Sequence, residues 1–181
     1  MNRIYIAALK EEVVGLNYFY LTGVGKINAT YKTLELINKF HPKEIINFGT
    51  AGALNKNLSG VVECTKFYQR DMDCRGLLDF KLGDTPFDSI NEIVFSKKGY
   101  SCGTGDNFVN KKIEMEVDIV DMEAYAIAKV CIYKKIRFRC FKFISDGGDE
   151  QANIDWNANL KLAAEKFEKF RLSFLDNQSF T

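Results

Sequence analysis

From Val117 to Ala128 the chain reads V-D-I-V-D-M-E-A-Y-A-I-A, and within this stretch the apolar pattern changes period. Val117, Ile119 and Val120 are β-branched and apolar, as a buried strand of a parallel sheet requires. From there Met122, Ala126, Val130 and Tyr133 fall on one helical face, with Ile127 and Cys131 beside it. A buried strand running straight into a helix restricts the chain to the α/β architectures. Two carboxylates, Asp121 and Glu123, stand at the joint. The macrodipole favours acids at a helix N-terminus, so taken alone they read as a helix-start signal.

The same alternation runs through the whole chain. Arg3 to Leu9 is an apolar strand leading into Lys10-Glu11-Glu12. Asn17 to Leu21 forms a second, ending in Thr22-Gly23-Val24-Gly25-Lys26. A helix follows, with Ile27, Thr30, Tyr31, Leu34 and Ile37 on one face, stopped by His41-Pro42. Glu44 to Phe48 is a strand entering the turn Gly49-Thr50-Ala51-Gly52. Val61 to Tyr68, Glu92 to Ser96 and Gly99 to Gly103 read as further strands, and Gln69 to Asp88 lacks periodicity. Arg137 to Ile144 is a strand ending at Ser145-Asp146-Gly147-Gly148-Asp149. Asp155 to Leu175 is an amphipathic helix with Trp156, Leu160, Ala163, Ala164, Phe167 and Phe174 on its apolar side. With no repeat, linker or low-complexity tract, residues 1–181 are expected to form a single α/β domain.

Composition removes several function classes. Charges nearly cancel, with 25 Lys+Arg against 24 Asp+Glu, so neither a nucleic-acid groove nor an acidic partner is indicated. No apolar run approaches the roughly 20 residues of a membrane span. The N-terminus enters a strand pattern directly, without a signal-peptide layout. Five scattered cysteines without a C-x-x-C motif fit reduced thiols in the cytoplasm. The one histidine, His41, sits at a helix end, which leaves Ser-His or Cys-His catalysis without a base and excludes a His-rich zinc site. Chemistry by this chain must rest on carboxylates, lysines, arginines and backbone groups, and no metal or cofactor is expected.

Several strands end in a glycine-containing or acidic turn, and in open α/β sheets ligands bind beyond the carboxyl ends of strands. Glycines there let backbone approach a ligand, while carboxylates transfer protons and bind hydroxyls. Each turn alone reads better as a chain reversal or helix cap; the set together points to a site. Gly23-Val24-Gly25-Lys26 is neither a P-loop nor a dinucleotide fingerprint, since Tyr20, Ile27 and Asn28 occupy positions those patterns need.

Six segments, in order, resemble the methylthioadenosine/S-adenosylhomocysteine nucleosidases of the nucleoside phosphorylase superfamily. They are Ala8-Leu9-Lys10-Glu11-Glu12-Val13, Thr22 to Ala29, Ile45 to Gly52, Thr104-Gly105-Asp106-Asn107-Phe108-Val109, Val120 to Ala124 and Ile144 to Asp149. The resemblance implies a three-layer α/β/α sandwich around a mixed, partly closed central sheet. It implies hydrolysis of the N-glycosidic bond of a purine nucleoside, a reaction through an oxocarbenium-like transition state. By resemblance Asp146 would protonate purine N7, Glu12 would activate water, and Glu123 would bind the ribose hydroxyls. Met122 would pack under the ribose, Phe108 would stack on the base, and backbone at Val109 would read its edge. Trp156 would lie over the 5′ substituent, with Val24, Thr50, Ala51 and Gly52 completing the substrate contacts. The family pattern alone selects Glu12 over Glu11.

The chain also departs from that pattern. Only Val14 to Leu16 separates the first turn from the second strand, no helix fits between Asp88 and Gly105, and Lys142 stands where an arginine is common. Gln69-Arg70-Asp71-Met72-Asp73 replaces a Tyr/His-containing stretch near the 5′ pocket, leaving the 5′ specificity open. A phosphate-dependent phosphorylase and a catalytically weak nucleoside-binding protein are the alternatives. A role in purine salvage, a small-molecule nucleoside partner and a homodimer are expected, with no nucleic-acid or membrane partner.

Overall fold

The computed structural model describes residues 2–175; Met1, residues 176–181 and the side chains of 174 and 175, Phe174 of the expected terminal helix face among them, lie outside it. Its strands are β1 (Arg3–Ala7), β2 (Phe19–Leu21), β3 (Glu44–Ala53), β4 (Val61–Gln69), β5 (Glu92–Val94), β6 (Tyr100–Thr104), β7 (Ile119–Asp121) and β8 (Arg137–Asp146). The helices are α1 (Lys26–Phe40), α2 (Ala124–Lys134) and α3 (Ala152–Phe170), with a 3-10 turn at Lys10–Val13 and a π turn at Arg171–Leu175.

One mixed sheet runs in the order β2-β1-β3-β7-β6-β4-β5, and β8 pairs with both β3 and β4. Strands β3, β8, β4, β6 and β7 therefore close on one another, with β1, β2 and β5 extending outward. The sheet carries a separate apolar core on each face. Ile4, Ile45, Cys64 and Phe67 pack with Leu36 and Ile37 of α1 and Ile127 and Cys131 of α2. Ile46, Phe48, Phe141 and Phe143 pack against Ala163 and Phe167 of α3. Adjacent Ile45 and Ile46 serve opposite faces, as the strand period of two dictates. Three layers result, the expected α/β/α sandwich around a partly closed sheet.

Two expectations need correction. The Gly49 to Gly52 segment is not a turn but the second half of β3, continuous to Ala53. Pairing with β8 on one side and with β7 at Gly52 and Ala53 holds it extended. On α1 the buried side is Ala29, Thr33, Leu36 and Ile37, whereas Ile27 and Tyr31 are 82% and 71% exposed. The helix has two apolar-leaning stripes, and the sheet takes the one with small residues, which allow close approach. His41 ends α1 as expected, in the left-handed conformation with its N–H on the Ile37 carbonyl.

Candidate active site

The 3-10 turn after β1 leaves Glu11 exposed and buries Glu12. The Glu12 carboxyl accepts hydrogen bonds from the Leu9 N–H at 3.0 Å, the Thr50 N–H at 2.7 Å and the Thr50 hydroxyl at 2.9 Å. A Cβ at Gly49 would lie 3.2 Å from Glu12 Oε1 and 3.3 Å from Lys142 Nζ. At Gly52 a Cβ would lie 2.6 Å from Asp146 Oδ1. The glycines of β3 thus make room for two carboxyl groups of the chain itself.

Asp146 closes β8. A register shift between Ala51 and Gly52 sets it opposite Gly52. Its Oδ1 accepts the Gly148 N–H at 2.9 Å and its Oδ2 the Ser145 hydroxyl at 2.8 Å. Burial pushes its pKa above the ordinary carboxylate value. It is not the cap of α3, because Asp149 supplies the acceptors there, its carbonyl for the Ala152 N–H and its carboxyl for the Gln151 N–H.

The acids at the β7–α2 joint separate by role. Asp121 is the helix-start residue: its carboxyl accepts the Ala124 N–H at 2.9 Å and the Thr104 hydroxyl at 2.6 Å, and pairs with Lys142 Nζ at 2.7 Å. Glu123 makes no side-chain cap to its own helix and accepts the Gly25 N–H from the start of α1 at 2.9 Å. Burial, then the neighbouring Asp121 charge, pushes its pKa up to about 8.

Glu12, Val24, Thr50, Ala51, Gly52, Phe108, Val109, Met122, Glu123, Asp146 and Trp156, the residues singled out from the sequence, all line one cavity of about 240 Å³. That is the scale of a small molecule, not of a polymer groove. Phe108 stands at the mouth, 43% exposed, while Val109 is buried. Trp156, in the second turn of α3, donates its indole N–H to the Thr50 hydroxyl at 2.9 Å.

Arg70 and Asn153 also line the cavity, and sequence reasoning did not assign them. Arg70 is 8% exposed; its guanidinium bonds the Asn107 side-chain oxygen and the Asn107 and Gly105 carbonyls, tying down the segment before Phe108. Nothing local marks it, because Arg70-Asp71-Met72-Asp73 reads as a solvated loop. Lys142, noted only as a departure, is the buried partner of Asp121. Among the described residues no cluster of three His, Cys, Asp or Glu side chains is placed to hold a metal ion.

A mixed, partly closed sheet with three carboxyls at strand ends defines a class, and comparison with known proteins gives it a name. The sequence profile of the phosphorylase superfamily matches residues 3–102 and 93–176. A 5′-methylthioadenosine/S-adenosylhomocysteine nucleosidase of Staphylococcus haemolyticus is 32% identical over 91% of this chain and 85% of its own. The chain therefore belongs to the methylthioadenosine/S-adenosylhomocysteine nucleosidase family of the phosphorylase superfamily. Among solved structures, the Helicobacter pylori nucleosidase with butyl-thio-DADMe-Immucillin-A superposes with a TM-score of 0.86 at 23% identity, covering 98% of this chain and 99% of that one. Futalosine hydrolase of the same organism gives 0.86 at 23% identity over 97% and 98%. These two likenesses establish the fold.

Proposed function

We propose that the protein hydrolyses the N-glycosidic bond of a purine nucleoside of the methylthioadenosine/S-adenosylhomocysteine type, releasing adenine and the ribose moiety. The observation that carries this reading is that two buried carboxyls, Glu12 and Asp146, line one cavity. Asp146, with its pKa raised by burial, suits an acid that protonates purine N7 so that the base leaves neutral. Glu12, with three donors on its oxygens, suits the base that orients and deprotonates the attacking water. Glu123 lines the same cavity. Hydroxyl donors from the ribose and positive charge developing at the sugar favour its ionised form over the protonated one that burial favours. With substrate bound it therefore accepts the ribose hydroxyls and supports that charge in the transition state. Phe108 stacks on the base, Val109 backbone reads its edge, Met122 packs under the ribose, and Trp156 walls the 5′ side.

The cations argue for water over phosphate as the nucleophile. A bound phosphate requires several uncommitted donors, for which arginine is best suited. Asn47, at the position where phosphorylases of this superfamily carry arginine, is buried and donates to the Ile6 and Phe48 carbonyls. Arg70 gives its two terminal nitrogens to the Asn107 segment and leaves one donor, the buried Nε, unpartnered among the described residues. Lys142 is paired with Asp121, and Lys10 is exposed. Base release should therefore run at full rate in phosphate-free buffer and yield the free sugar, ribose with whatever 5′ group the substrate carried, not its 1-phosphate. Asp146→Asn should bind nucleoside while losing roughly 10²–10⁴-fold in turnover. A reaction that stalls without phosphate and restarts on its addition contradicts the assignment.

The enzyme would act in the cytoplasm, in purine salvage, as a homodimer. All five cysteines are free thiols, which suits a reducing compartment, and an exposed apolar face supports self-association.

A further inference from the structure

Trp156 does more than wall the cavity. It is the sole tryptophan of the chain, and its indole N–H reaches the Thr50 hydroxyl at 2.9 Å. An indole N–H donates and never accepts. The Thr50 oxygen is therefore an acceptor toward Trp156, and its own proton must go elsewhere. The acceptor in reach is Glu12 Oε1, at 2.9 Å. The chain of donors has one direction: Trp156 to Thr50 to Glu12.

That direction distinguishes the two oxygens of Glu12. Oε1 receives both the Thr50 hydroxyl and the Thr50 N–H, whereas Oε2 receives the Leu9 N–H alone. The oxygen with acceptor capacity left for water is Oε2. Without the indole donor, the Thr50 hydroxyl would be free to rotate and give its proton to solvent or substrate. The same helix also touches the end of β8, where Asn159 donates to the Ser145 backbone carbonyl at 2.8 Å.

We infer that Trp156 is a positioning residue which, through the Thr50 hydroxyl, orients the Glu12 carboxyl and leaves Oε2 as the atom that takes the proton of water. This rests on the hydrolase reading of Glu12, and the test separates the two. Trp156→Phe keeps an aromatic wall and removes the donor. With 5′-methylthioadenosine its kcat should fall about 3- to 10-fold, the scale of one neutral hydrogen bond, with KM little changed. The same fall is expected with adenosine, which lacks the thioether. Adding Trp156→Phe to Thr50→Val should cost nothing further, because both remove one relay. A change confined to KM, or present only with 5′-methylthioadenosine, would overturn the inference in favour of 5′ packing alone. The single indole N–H gives a nuclear magnetic resonance signal that does not depend on turnover. It should be shifted downfield and protected from exchange in the wild type, move in Glu12→Gln, and lose both features in Thr50→Val. An indole signal unchanged by Thr50→Val refutes the relay even if the enzyme is active; an inactive wild type with the expected signal refutes the hydrolase reading and leaves the relay standing.

Discussion

Asp121 and Glu123, two residues apart, are driven in opposite directions by their neighbours. Burial raises the pKa of Asp121, but Lys142, the Thr104 hydroxyl and the Ala124 N–H outweigh it and hold the group below its ordinary value. Glu123 is buried beside that fixed negative charge and is pushed up to about 8. The consequences for stability have opposite sign. Native Glu123 keeps its proton over the range in which the unfolded chain, with an ordinary value of 4.5, has lost it. The native state then binds more protons, so this contribution is intact in acid and is lost as pH rises from about 4.5 to about 8. Asp121 contributes the reverse, with stability lost as pH falls below its ordinary range. Thermal melts of the wild type should decline between pH 5 and 8 by an amount on the order of 3 kcal/mol relative to Glu123→Gln, whose amide does not titrate. Parallel profiles for the two proteins would show that Glu123 is not held protonated.

At the scale of elements, β3 organises the site. Its first half forms both cores, through Ile45 on one face and Ile46 and Phe48 on the other. Its second half carries no bulky side chain, so Glu12 lies against Gly49 and Asp146 against Gly52. Gly52→Ala tests this arrangement. The added Cβ would meet Asp146 Oδ1 at 2.6 Å, Val120 Cγ2 at 3.2 Å and the Gly148 Cα at 3.3 Å. A contact that short cannot stand, so the Asp146 carboxyl must shift. Turnover should fall roughly 10²-fold, the cost of a displaced general acid, while the circular-dichroism spectrum stays native. Full activity in Gly52→Ala would mean that the site tolerates a shifted acid.

For the whole molecule, the face left open by α1 and α2 is the notable feature. Ile27, Tyr31 and Tyr133 are 82%, 71% and 58% exposed and share a groove with Leu34, Ala126 and Val130. An adjoining hollow, lined by Gly25, Lys26, Ile27 and Asp106, reaches Val24 and Met122, which also line the main cavity. A second copy docked on this face would cover the apolar stripe and stand beside the substrate. Light scattering at micromolar concentration should give a dimer mass, and Ile27→Arg should give the monomer with reduced activity. A fully active wild-type monomer would refute the assignment of this face.

The sequence by itself determined the alternation of strands and helices, the ends of α1 at Gly25 and His41, and the order of the acidic turns. These depend on local periodicity, glycine and proline, which act over a few residues. It also held the six segments that resemble the family. Tertiary structure decided what local pattern cannot encode. Glu11 and Glu12 are the same residue type in the same turn, and only the packing of that turn against Thr50 selects which carboxyl is buried. Asp121 and Glu123 carry equal helix-start signals, and a lysine on another strand, Lys142, makes one of them structural. Gly49 to Gly52 reads as a turn until β7 and β8 pair with it. Arg70 reads as solvated until Gly105 and Asn107 close over it. In each case the deciding partner is distant in sequence, so the long-range strand pairing that brings it near also assigns the residue its role.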